Sequence, residues 1–171
     1  HLGAVGMPER AVEIWAPEAE PPTGGWPFLV VTDGDLAATP TFAVYATLRA
    51  LVAEGRVPPT VVIAVPSQEE RNRELSVRAR MFVDFLADVV LPAVEAEVPL
   101  ARRGSVLGYS FGGLSAVYAG VLRSDRFHGV IAMSPSLWFR RHVALRHVHD
   151  AESLPRRWWI DVGTEEGRLV A

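Results

Sequence analysis

Five short runs of β-branched and apolar residues recur along the chain, most of them separated by stretches with helical spacing. This alternation limits the possible folds more than any other feature. The runs are residues 26–32 (WPFLVVT), 60–65 (TVVIAV), 105–109 (SVLGY), 129–133 (GVIAM) and 158–162 (WWIDV). The first two, continuous and apolar, suit strands covered on both faces. An earlier run, 10–15 (RAVEIW), alternates with period two and predicts a further strand. Between the strands, 41–54 predicts a helix closed by Gly55. Ser76 is the expected cap of a second helix carrying Phe82, Phe85, Leu86, Val89 and Val90 on one side and bent near Pro92, and 114–122 predicts a third. Strands alternating with helices require right-handed crossovers. The expected fold class is therefore α/β, with a mostly parallel sheet and helices on both faces.

The 171 residues suffice for one domain with a substantial core. Charged residues make up 22% and the net charge is −3, which argues against a disordered tail, a coiled coil and a nucleic-acid binder. All 17 basic residues are arginine, which points to GC-rich codon usage rather than to mechanism. The absence of cysteine removes disulfides, thiolate catalysis and cysteine-ligated metal. No apolar run approaches the ~18–20 residues of a membrane span. The expected compartment is the cytoplasm, with periplasmic or secreted placement left open.

The segment most informative about chemistry is Val106-Leu107-Gly108-Tyr109-Ser110-Phe111-Gly112-Gly113-Leu114. Its Gly-x-Ser-x-Gly core, between an apolar strand and a helix, has the form of a nucleophile elbow. There a sharp, strained turn exposes a serine hydroxyl at the C-terminal edge of a sheet and at a helix N-terminus. Ser110 is thus the expected nucleophile, with the Phe111 N–H as one oxyanion donor and the Asp35 N–H, from the Asp33-Gly34-Asp35 turn after an earlier strand, as the second. An ordinary Asp-Gly loop is the competing reading of that turn.

At these residues the chain resembles the esterase D-like branch of the α/β-hydrolases, and within it the enterochelin (catecholate siderophore trilactone) esterases. GYSFGGLSAVYAG with DRFHGVIAMSPSLWF, PFLVVTDGD, and the Arg-x-x-Glu-Leu of residues 71–75 carry the likeness, which runs over about residues 10–167. The resemblance implies a serine esterase acting through an acyl-enzyme without cofactor or metal, iron arriving only with the substrate. A general acyl or S-formylglutathione-type esterase and a non-catalytic ligand-binding member are the alternatives. It also implies an acid in a Gly-x-x-acid turn past a late strand, which selects Glu166. Asp161, inside the strand, is the competitor, and Glu165 is read as a solvated neighbour.

The base is missing. In this fold the order is serine, acid, histidine, and no histidine follows Glu166. The resemblance places it beyond Ala171, so residues 1–171 are expected to form a single hydrolase domain lacking its C-terminal part, with the N-terminal end also open. His1 is terminal, His128 begins a strand, and His142, His147 and His149 lie in a basic segment read as a solvated helix rather than a metal site. Arg71, Arg73 and Trp138 are the candidate substrate-binding residues: two cations after a strand's C-terminal end, for an anionic substrate, and an aromatic wall. An Arg71–Glu74 pair that merely fixes the loop is the competing reading. The expected partner is a small-molecule ester, with no nucleic acid and no membrane span; nothing in the sequence sets the oligomeric state.

Overall fold

A computed structural model describes residues 1–164 and Glu166. Strands β1 (Leu2–Ala4) and β2 (Met7–Arg10) form a separate antiparallel hairpin. The main sheet contains β3 (Glu13–Trp15), β4 (Phe28–Thr32), β5 (Val61–Val65), β6 (Gly104–Tyr109), β7 (Phe127–Met133) and β8 (Arg157–Asp161), in the order β3-β5-β4-β6-β7-β8. Only β3 runs antiparallel to its neighbour; every other pairing is parallel. The α/β expectation holds, and the five apolar runs are the five parallel strands.

Side-chain alternation divides the core into two layers. On one face Phe28, Val30, Ile63, Val106 and Val130 pack against α3 (Ala79–Phe85), α4 (Leu91–Glu95) and α5 (Phe111–Leu122), with α6 (Val143–His149) lying on α5. On the other face Leu29, Val31, Val62 and Ala64 meet Ala37 of α1 (Gly34–Ala37) and Tyr45 of α2 (Val44–Ala53). α2 ends as Gly55 predicts: at φ 68° the glycine donates to Val52 O, and Arg56 donates to Leu51 O, closing the last turn.

Three local expectations are corrected. The 10–15 run is not one strand. Arg10 ends the hairpin, and only Glu13–Trp15 joins the sheet, because the Arg10 guanidinium turns inward to Glu74 (2.5 and 3.0 Å) and is almost wholly buried. Ser76 caps no helix. It lies within a π-helical turn, Arg73–Val77, and its hydroxyl donates to Asn72 O. A second π-helical turn, Leu86–Val90, precedes Pro92; widening the ladder there accommodates a residue that has no N–H to give. α5 starts three residues earlier than its apolar spacing suggests, directly after Ser110. Among the described residues no helix is long and apolar enough to cross a membrane.

Candidate active site

Ser110 stands between β6 and α5 at φ 56° and ψ −116°, a backbone conformation that strains any residue with a Cβ. Tight surroundings hold it there. Its N–H donates to Met133 O (3.0 Å), and its carbonyl accepts from Leu114 N and Ser136 N (both 3.0 Å). The flanking glycines are required for space. A Cβ on Gly108 would collide with the Gly112 backbone and Thr32 Oγ1, and one on Gly112 would lie 2.6 Å from Thr32 Oγ1 and 2.7 Å from Asp33 Oδ2. The strained strand-to-helix turn read from the sequence is therefore present. The Ser110 hydroxyl lies 3.3 Å from the Ser136 hydroxyl.

The Asp33-Gly34-Asp35 turn follows β4, beside β6 in the sheet. Asp33 is left-handed (φ 55°) and 2% exposed, and its carboxylate is gripped by Arg71 through Nε and Nη2, each at 2.6 Å. These hydrogen bonds raise the Arg71 pKa further above its ordinary value. Asp35 Oδ1 accepts from Ser67 N at 3.4 Å. The Asp35 and Phe111 amides occupy the first turns of α1 and α5, where helical N–H groups have no intrahelical acceptor. Among the described residues neither donates a backbone hydrogen bond.

The proposed Arg71–Glu74 pair does not form. Arg71 belongs to Asp33 and Glu74 to Arg10, since the wide turn at Arg73–Val77 carries Glu74 into the core. Arg73 is exposed and pairs with Glu70 at 3.0 Å. Trp138 is 39% exposed and stands 6.0 Å from Phe111, ring centre to ring centre, with Phe139 edge-on to Phe111 at 5.5 Å. Tyr109, just before the serine, is 41% exposed beside Phe42.

Asp161, the last residue of β8, and Glu166, beyond that strand, converge on Ser134. Asp161 Oδ1 accepts from Ser134 N at 2.8 Å; Glu166 Oε1 accepts from Gly163 N at 2.8 Å and from the Ser134 hydroxyl. Glu165 lies outside the described residues. Asp33, Ser134 and Ser136 are site residues with no expected role above; the Ser-Pro-Ser tripeptide at a strand's C-terminal end is the signal for the two serines.

No histidine among the described residues hydrogen-bonds Ser110. His128 is the second residue of β7, at the opposite end of the sheet from the serine, and burial followed by the nearby Arg103 and Arg157 charges lowers its pKa. His147 packs edge-on against Tyr118, while His149 is exposed and bonded to Asp150.

A serine on a strained elbow, two amides in first helical turns on its side of the sheet and a mostly parallel sheet between helical layers define an α/β-hydrolase fold. The chain belongs to the esterase family described as "Putative esterase", whose model matches residues 7–170. It is 33% identical over 118 residues to the iron(III) enterobactin esterase of Escherichia coli K12, covering 66% of this chain and 29% of that protein. It is 40% identical over 78 residues to the siderophore triacetylfusarinine C esterase of Aspergillus fumigatus, covering 44% and 25%. The crystal structure of an enterochelin esterase from Shigella flexneri superposes with a TM-score of 0.68 at 28% identity, over 87% of this chain and 40% of that one. The chain thus spans under a third of the length of these two curated relatives.

Proposed function

We propose that this chain carries the nucleophile, oxyanion donors and acid of a serine esterase that hydrolyses carboxylic esters, with siderophore trilactones of the catecholate type as the leading substrate. The observation that carries this reading is Ser110 held at φ 56° at the N-terminus of α5, with the Phe111 and Asp35 amides donating no backbone hydrogen bond among the described residues.

In the proposed reaction Ser110 Oγ attacks the ester carbonyl as a histidine takes its proton. The oxyanion accepts hydrogen bonds from Phe111 N–H and Asp35 N–H. Collapse expels the alcohol, which takes the proton from the histidine, and leaves an acyl group on Ser110. Water, deprotonated by the same histidine, then releases the acid and frees the serine. Glu166 orients the histidine, with Asp161 as the alternative. Arg71, its charge matched by Asp33, serves the site chiefly by fixing the Asp33–Asp35 turn. Trp138 and Arg73 are the residues proposed to meet the aromatic, anionic substrate.

Two measurements test the reading on the full-length protein. Intact-mass analysis after fluorophosphonate treatment should find one adduct, lost in Ser110→Ala; an unmodified, folded wild type refutes the nucleophile. Hydrolysis of a catecholate trilactone should exceed that of p-nitrophenyl acetate in kcat/KM, and the reverse preference refutes the substrate.

A further inference from the structure

At the opposite end of the sheet from Ser110, a cavity of about 320 Å³ opens between α2, the edge strand β3 and the start of β5. Trp15, Tyr45, Leu48, Val52 and Pro59 form an apolar lining, and among the described residues Arg49 is the one charged side chain in it. None of its lining residues belongs to the candidate active site. The volume lies at the lower end of the range for small-molecule sites. Trp15 and Tyr45 are stacked, centroids 4.3 Å apart and planes 17° from parallel, so Tyr45 backs one face of the indole and holds the ring flat. Trp15 is nonetheless 41% exposed, a large apolar area left open to solvent. The Arg49 guanidinium lies 5.9 Å from the Trp15 ring centre and, among the described residues, forms no ion pair.

We propose that this cavity is a second, non-catalytic site for a small planar aromatic carboxylate. The ring system would cover the exposed faces of Trp15, Leu48 and Val52, removing apolar surface from water. The carboxylate would be met by Arg49, whose planar fork can bind both oxygens while it stays over the indole. An aromatic anion satisfies both features at once. An aliphatic acid leaves the flat indole poorly covered, and a neutral aromatic leaves Arg49 without a partner.

The test uses 2-naphthoate as probe and isothermal titration calorimetry on the full-length protein. The expected result is saturable one-to-one binding, unchanged in Ser110→Ala. It should be weakened at least about tenfold in Arg49→Glu and for the neutral analogue 2-naphthamide, as expected when one charge-assisted contact is removed. Val52→Trp should abolish it by filling the cavity. Should that variant fail to fold, as judged by its melting curve, Ala53→Trp fills the rim from an exposed position. No saturable binding up to about 5 mM, a weak limit for a ligand of this size, overturns the proposal. So does equal affinity for the amide, binding that survives the filled cavity, or probe affinity that falls with protein concentration, which would make a second copy of the chain the occupant.

Discussion

The Arg10–Glu74 pair offers a strong test of how this fold is held. Its side chains are 0% and 6% exposed, and it joins the N-terminal hairpin to the π-helical turn after β5. Arg10 also donates to Pro66 O at 3.1 Å and lies 5.1 Å from the Phe85 ring centre. Arg10→Met keeps most of the packing but leaves the Glu74 carboxylate buried with no cationic partner. Breaking a buried pair in this way costs about 3–5 kcal/mol, a large part of the ~5–15 kcal/mol that stabilises a typical domain. At about 2–4 °C per kcal/mol for a chain of this size, the melting temperature should fall by roughly 6–20 °C. The double variant Arg10→Met/Glu74→Leu removes both charges and should recover to within about 1 kcal/mol of wild type. Urea unfolding followed by tryptophan fluorescence, with comparable m-values across the set, measures all three. A single variant costing less than about 1 kcal/mol, or a double variant no better than the single, refutes the reasoning.

Three further outcomes are expected. Gly108→Ala should cut fluorophosphonate labelling of Ser110 by at least about a hundredfold, since the new methyl displaces the elbow or the Thr32 side of the oxyanion turn, and small misplacements at a reacting centre cost rates of that order; wild-type labelling would mean that the elbow yields. Arg71→Met should slow labelling more than it lowers the melting temperature, and Arg71→Lys should recover only part of the rate because an ammonium cannot fork to Asp33; a full rescue by lysine would show that charge alone matters. Burial, with the Glu13 charge adding to it, pushes the Tyr45 hydroxyl up to about 12 from an ordinary 10.0. Its folded pKa is therefore raised, so its contribution to stability is complete below pH ~10 and fades as pH rises toward ~12. Tyr45→Phe should flatten that alkaline loss in a pH series of urea midpoints, and an unchanged slope would place the titration elsewhere.

Much of this architecture is written in local pattern. The runs at 26–32 and 60–65 became fully buried parallel strands because a strand covered on both faces must be apolar at every position; 158–162 also became a parallel strand, yet Trp159 and Ile160 of β8 are about half exposed. Gly108, Ser110 and Gly112 were legible as an elbow because its strain and crowding restrict residue types at fixed offsets. What remained hidden depends on contacts between positions distant in sequence. The partners of Arg71 and Glu74 could not be read from the Arg-x-x-Glu spacing. That spacing suits a pair on one α-helical face, whereas the π-helical turn sends Glu74 inward to Arg10, 64 residues away, and leaves Arg71 for Asp33, 38 residues away. The same holds for the convergence of Asp161 and Glu166 on Ser134, and for Ser136 beside the nucleophile. Backbone periodicity and turn chemistry are short-range and leave a mark in the sequence; the choice of ion-pair and hydrogen-bond partners is made only when packing brings separate segments together and excludes water from between them.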